Sequence, residues 1–308
     1  MTEYKQHKKA YLAAVLNAFI IGFSFIFVKL ALTITNPVDT LAHRFTVSFV
    51  VASIPIIFGW IRLNITVKGI FSILPLALFY PALFFTFQVF GLVYTSSSEA
   101  GIIHATVPIF TMILATYFLK EYTSQWQKIF TLLSVVGVTY IFAMKGINLE
   151  TMNSKGTILI LLSALSFAGY SVLARKMSQK FSVIDLTYMM TTIGFLFFNG
   201  MSVIRHVSEG TLTLFFAPFS NPLFVMSIFF LGVLSSLVTS FLSNYALSQI
   251  EASKISVFNN LSTLVTIVAG VIFLQEKLEY FHLIGAFMII LGVVGTNLLK
   301  PKKAKARS

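Results

Sequence analysis

Long apolar stretches alternate along this chain with short polar ones, and most of the charge is confined to the short ones. Runs free of Asp, Glu, Lys and Arg extend over 30–38, 45–61, 69–98 and 210–250. A helix needs about 20 consecutive apolar residues to cross the hydrocarbon core of a bilayer. The pattern therefore predicts an all-α integral membrane protein. Its ten transmembrane helices are expected at 11–32, 40–61, 70–93, 98–119, 127–145, 156–176, 184–205, 223–247, 254–274 and 282–299. The stretch 206–222 is apolar but too short for a further span, and reads as an interfacial or re-entrant piece.

The two halves repeat one another. At an offset of 155, Phe118-Leu119-x-Glu121 matches Phe273-Leu274-x-Glu276, and Ile129, Gly137 and Val138 match Ile284, Gly292 and Val293. Earlier in the halves an offset of 146 places Lys29 on Arg175 and Asp39 on Asp185. Each half holds an odd number of spans, five, so the second must enter the membrane from the opposite side. The expected organisation is a basic N-terminus (1–10), a first five-helix repeat (11–145), a linker (146–155), a second, inverted repeat (156–299) and a basic tail (300–308). Inverted repeats are a common construction of secondary transporters, because related halves can exchange inward-open and outward-open shapes.

Composition agrees with the pattern. The chain is 57% hydrophobic and 10% charged, with mean hydropathy +0.88, whereas a soluble domain is about 25% charged. A net charge of +12 would suggest nucleic acid in a soluble protein. Here the bases flank the spans, and orientation accounts for them without nucleic acid. If both termini are cytoplasmic, sixteen Lys and Arg residues fall inside, and only Lys145, Lys155, Arg205 and Lys277 fall outside. That is the bias of the positive-inside rule. The basic N-terminus followed by an apolar run resembles a signal peptide, but Tyr11–Leu32 is too long for a typical apolar region of one and is read as a retained first span.

Several chemistries find no support. The absence of cysteine excludes disulfides and thiolate metal sites, and the five histidines sit in separate segments without metal-ligand spacing. No nucleophile elbow, zinc-protease motif, phosphate-binding lysine loop or paired-carboxylate motif is present, so neither an enzyme, a cofactor nor an ATP-driven pump is expected.

The chain resembles the EamA-type branch of the drug/metabolite transporter superfamily. The resemblance is carried by "GFSFIFVKLAL" at 22–32, "HRFTVSF" at 43–49, "SSEAGIIHATVPIFTMILATYFLKE" at 97–121 and the weaker second copy "EASKISVFNNLSTLVTIVAGVIFLQE" at 251–276. It implies an inner-membrane carrier with a central cavity lined by the first four helices of each half, the fifth and tenth being peripheral. The family's "GE" after the fourth and ninth helices is Lys120-Glu121 and Gln275-Glu276 here. Pro108 has Thr263 as its counterpart, so the two halves are not expected to bend alike.

Polar residues at mid-depth are the candidates for a substrate cavity: Asn17, Tyr80, Gln88, His104, Tyr170, Asn244, Asn259 and Asn260. An amide in hydrocarbon is costly unless it finds a partner, and His104 is suited to carrying a proton. Lys29, Asp39, Arg44 and Glu99 share one membrane depth near the outer face, while Arg175 and Asp185 lie near the inner face, which makes them gating candidates. Glu121 and Glu276 are expected to secure loops and helix ends. The expected function is a secondary carrier of small metabolites working by alternating access. Export of amino acids or related amphipathic solutes is the family-level expectation. Its partners would be the bilayer, a small-molecule substrate and a proton as candidate coupling ion. A non-transporting membrane scaffold is the alternative, and a channel or membrane enzyme is disfavoured. The basic-residue bias predicts that tags on both termini resist a non-permeant protease in intact spheroplasts and are cleaved after lysis.

Overall fold

The computed structural model describes residues 2–95, 97–144, 153–265, 268 and 279–298, with the side chains of 2–6, 97–99 and 102 left aside. All regular structure among these residues is helical. Eight helices are long and apolar enough to cross a membrane. They form the first (Thr2–Leu32), second (Pro37–Ile57), third (Val67–Tyr94), fifth (Gln125–Met144), sixth (Ser154–Met177), seventh (Val183–Glu209), eighth (Pro222–Gln249) and tenth (Tyr280–Leu298) spans. The fourth is split into Ser97–His104 and Val107–Phe118, with Pro108 at the start of its second piece. The ninth opens with Ala252–Ser256 and a 3-10 turn at Val257–Asn260, and its later part lies outside the described residues.

Local chemistry explains where helices differ from their expected bounds. The second starts at Pro37, three residues early, because Asn36 caps it: its side chain accepts from Asp39 N, and proline suits a first helical position. It stops at Ile57 rather than 61, just before Gly59 at φ 72°. Ser182 caps the seventh span through Asp185 N in the repeat-related position. The seventh runs on to Glu209, where Gly210 at φ 66° ends it. The expected interfacial piece at 206–222 thus shrinks to 210–221, which holds two short 3-10 turns, Leu212–Leu214 and Ala217–Ser220, laid against the end of the bundle.

The third and eighth spans each loosen into a π-helical segment, Leu78–Leu83 and Phe230–Val238. These stretches correspond at the repeat offset of 155. In the third, Tyr80 takes extended angles (φ −145°, ψ 116°) ahead of Pro81, as a residue preceding proline prefers.

Packing follows the inversion. The second span lies on the seventh, the fourth on the ninth and the fifth on the tenth, while the first packs on the eighth as the sixth packs on the third. The fifth–tenth contact is built from glycine. A Cβ at Gly292 would stand 2.6 Å from the Phe130 carbonyl oxygen, and one at Gly137 would stand 2.9 Å from that of Gly285. Small residues let helix backbones approach in a medium where burial of apolar surface drives no association. Gln127 Nε2 donates to Thr296 O across the same contact at 3.3 Å.

Gly292→Ala should therefore lower the melting temperature of the detergent-solubilised protein, by an amount corresponding to about 1–3 kcal/mol of overpacking. Gly200→Ala is the control: no atom lies within 4 Å of a Cβ there, and its melting temperature should not fall.

Candidate functional site

A small pocket lies between the two repeats, in the half of the molecule nearer the face where the chain begins. The first span contributes Ala14 and Asn17, the sixth Phe167 and Ser171, the eighth Ser243 and Ala246, and the ninth Ile255, Ser256, Phe258 and Asn259. Its polar groups are amides and hydroxyls, and no charged side chain lines it. Asn17 is buried, and its Oδ1 has no hydrogen-bond partner. Such an amide costs free energy until something accepts or donates to it. The adjacent Asn259 and Asn260 diverge. Asn259 faces this pocket, whereas Asn260 Nδ2 donates to Ser134 Oγ of the fifth span at 2.7 Å.

Towards the opposite face the pocket meets aromatic rings. Phe167 lies 5.4 Å from Tyr170, 6.0 Å from Tyr80 and 5.3 Å from Phe84, measured between centroids. Tyr80 and Tyr170 stack at 4.7 Å. Tyr170 is held by its hydroxyl, which donates to Asn244 Oδ1 at 2.9 Å, and Asn244 Nδ2 donates in turn to Thr187 Oγ1 at 3.1 Å. His104, at the break in the fourth span, stands edge-on to Phe84 at 5.8 Å and to Phe25 at 6.0 Å. Its Nε2 is buried without a hydrogen-bond partner. Gln88 is buried in the third span, away from the residues lining the pocket.

The charged residues singled out as gates take the following contacts among the described residues. Lys29 Nζ donates to the carbonyls of Leu92 at 2.6 Å and Thr95 at 2.7 Å, at the C-terminus of the third span. Arg175 Nη1 donates to the carbonyls of Leu247 and Ser248, both at 2.8 Å, at the C-terminus of the eighth. The two cations thus make the same contact at opposite faces. Cations favour helix C-termini, where carbonyls lack intrahelical donors. Asp185 Oδ1 accepts from Asn64 N at 3.1 Å, and among the described residues it forms no ion pair with Arg175.

Asp39 is buried against the far end of the seventh span. It accepts from Ser202 Oγ at 2.7 Å and Asn36 Nδ2 at 2.5 Å, lies 3.2 Å from His206 Nε2 through either oxygen, and meets Arg205 Nη1 at 3.5 Å. His206 Nδ1 is 2.8 Å from Thr211 Oγ1. Phe215 covers the cluster, and its carbonyl oxygen lies 2.9 Å from His43 Nε2. The second and seventh spans are thereby tied together at the face opposite the N-terminus. Arg44 turns instead to the eighth span: Nε donates to Ser236 Oγ at 2.6 Å, and Nη2 to Ser235 O and Oγ at 2.9 Å. The side chains of Glu99 and Glu276 lie outside the described residues. Glu121 accepts from the backbone of Ala252 and Ser253 at 3.0 and 3.1 Å, closing the start of the ninth span.

Sequence reading passed over the pocket hydroxyls and the Ser202–Arg205–His206 cluster. A partial signal for the former exists: Ser243 ends a stripe with Ser236 and Ser240 at helical spacing on the eighth span, although only Ser243 of the three lines the pocket. The partners of Asp39 are far apart in sequence, and no local spacing points to them.

The arrangement is that of a polytopic membrane protein with a polar pocket enclosed by two inverted halves. Comparison with known proteins agrees: the chain matches the EamA-like transporter family over residues 8–143 and again over 154–298. The chain belongs to that family, within the drug/metabolite transporter superfamily. A Bacillus subtilis (strain 168) protein described as "Uncharacterized transporter YcxC" is 58% identical over 300 residues, covering 97% of this chain and 96% of the relative. An "Uncharacterized transporter" from Archaeoglobus fulgidus is 25% identical over 287 residues, covering 92% and 97%. A solved structure titled "Crystal structure of protein" superposes with a TM-score of 0.73 at 13% identity over 94% of this chain and 97% of its own, which shows the shared fold. The protein is a multi-pass membrane transporter.

Because the chain has no cysteine, one introduced thiol reports cleanly on access. Ser240→Cys replaces a buried hydroxyl that lacks a partner. Asp39→Asn in that background should increase its labelling by an impermeant maleimide applied from the face opposite the N-terminus. Equal labelling with and without Asp39→Asn, at equal folded protein, would mean that this cluster does not hold that face shut.

Proposed function

We propose that the protein is a secondary carrier of small polar or amphipathic solutes that works by alternating access in the cell membrane, with both termini cytoplasmic. The observation that carries this reading is the pocket between the repeats, lined by Asn17 and Asn259 and by the hydroxyls of Ser171, Ser243 and Ser256. Amides and hydroxyls both donate and accept, so they suit an uncharged or zwitterionic solute. Phe167 and Phe258 offer apolar surface to the rest of such a molecule. Amino acids and related compounds have this character, and export is the direction we assign, with loading from the cytoplasmic side where the pocket lies.

Alternation then has a physical outline. The aromatic layer of Phe84, Phe167, Tyr80 and Tyr170 closes the pocket from the far side, and the Asp39 cluster holds the second and seventh spans together beyond it. Opening the far face separates these contacts. On the near face, Arg175 on the carbonyls of the eighth span and Asp185 on the loop after the second make the corresponding closure. A small difference in contact energy between two such sets is enough to bias two states.

Counterflow in proteoliposomes with a broad solute panel at controlled pH tests the reading. Uptake of a restricted group of polar solutes is expected. No exchange of any solute would favour a scaffold. Asn17→Ala and Asn259→Ala should each raise KM by about 2- to 10-fold, the scale of one lost neutral hydrogen bond. Asn260→Ala should leave KM unchanged and lower thermal stability, because its contact is with Ser134. Unchanged KM in both pocket variants would remove the pocket from the transport path.

A further inference from the structure

Arg44 presents an electrostatic problem that the fold leaves open. Its side chain is 1% exposed. The guanidinium lies over the Phe85 ring, with Cζ 4.1 Å from the centroid. Its hydrogen bonds go to neutral oxygens only, those of Ser235 and Ser236, and Nη1 makes none among the described residues. No carboxylate of the described residues pairs with it. Asp39, the nearest acid in sequence, is already engaged by Ser202, His206, Arg205 and Asn36. A guanidinium cannot shed its charge as lysine or histidine can, and a buried charge without a counter-charge is among the costlier features a membrane protein can keep.

The placement of the group adds a second observation. Arg44 comes from the first repeat, and its partners lie in the π-helical segment of the eighth span in the second. Its backbone is pressed against Gly232 of that segment, where a Cβ would stand 2.8 Å from the Arg44 carbonyl oxygen. Phe85, beneath the guanidinium, is 5.0 Å from Tyr80, and Tyr80 is 6.0 Å from Phe167 on the pocket wall. The unpaired cation therefore stands directly behind the aromatic layer that closes the pocket, at a junction of the two halves.

We infer that Arg44 is the anchor for a carboxylate on the transported solute, so that the substrate class is a monocarboxylate, zwitterionic amino acids included. This rests on the carrier reading above. The free Nη1 can donate to one carboxylate oxygen, and Nη2 to the other if Ser235 gives way. The guanidinium fork matches a carboxylate in this manner. With one guanidinium and no second base beside it among its described contacts, the site balances one negative charge. It fits a carboxylate better than a phosphate ester. Asn17 and Asn259 would receive the solute first, and passage of the aromatic layer would bring its carboxylate to Arg44.

The test compares matched triplets in proteoliposome counterflow: leucine, phenylalanine and glutamine, each with its amide and its methyl ester, and inorganic phosphate as a control anion. Thermal stabilisation of the purified protein by the same compounds is measured in parallel. The acids are expected to exchange and stabilise at least about 10-fold more effectively than their amides or esters, the scale of a lost charge-assisted hydrogen bond. Arg44→Gln should abolish the difference, and Arg44→Lys should raise KM for the acids while leaving that for the amides unchanged. Parent protein that handles acid and amide equally overturns the proposal, whatever the variants do. So does a preference for phosphate, or an acid preference that survives in Arg44→Gln. If Arg44→Gln does not fold, Arg44→Lys decides: an unaltered acid KM there overturns it as well. A flux of amides and esters without acids would sink this inference and leave the carrier reading intact. No flux and no stabilisation with any compound in this set or the broad panel would defeat both.

Discussion

Hydrocarbon contains no water, so every peptide group that leaves a helical ladder inside the membrane must be met by the protein itself. Most of the polar architecture here answers that constraint. The third and eighth spans end in carbonyls met by Lys29 and Arg175. The ninth begins with amides met by Glu121. The loosened turn of the eighth span exposes the Ser235 carbonyl, which receives both Arg44 and the Thr239 hydroxyl. Each device lets a span end or loosen without an orphaned backbone group. Interrupted helices near the middle of a membrane are what make room for a polar pocket between them.

Two of the cations make contacts within their own repeat. Lys29 joins the first span to the third, and Arg175 joins the sixth to the eighth, so each cation staples two spans of its own repeat. Beside the extensive packing between the repeats stands a set of polar contacts that also tie one to the other: Asp39 with the seventh span, Asp185 with Asn64, Glu121 with the ninth, and Arg44 with the eighth. Under the alternation proposed above, the cross-repeat set is the one that would reorganise as the halves move against each other.

Much of the fold was legible in the sequence because lipid imposes a strict length and hydropathy on every span. The positions of the spans among the described residues follow from that, and the expectation of an inverted relation follows from an odd number of spans per repeat. Ends were misjudged where a single residue decides them: Asn36 starting a helix early, Gly59 stopping one, Gly210 allowing one to run on. The break at the fourth span was half visible in Pro108, whereas the π-helical turn at Phe230–Val238 has no proline or glycine signal strong enough to announce it. The charges were legible as residues but not as contacts. Lys29 and Asp39 stand close in sequence and at similar depth, yet Lys29 turns to the third span and Asp39 to the seventh. Depth can be counted along a helix, but azimuth depends on how the helices pack. The same limit applies to Asn259 and Asn260, whose adjacency gives no hint of which one faces the pocket.

The seam between the fifth and tenth spans is built unequally by the two repeats. Its close approach is made by Gly137, Gly285, Gly292 and Gly295, residues contributed by both halves. The two copies share only one of these glycines, since Gly137 corresponds to Gly292 whereas Gly285 and Gly295 have Phe130 and Tyr140 as counterparts, so the tenth span supplies most of the space for the approach and the fifth supplies the bulk that fills it. The same asymmetry holds in the second and seventh spans, where Arg44 has Met190 as its counterpart at the offset of 146.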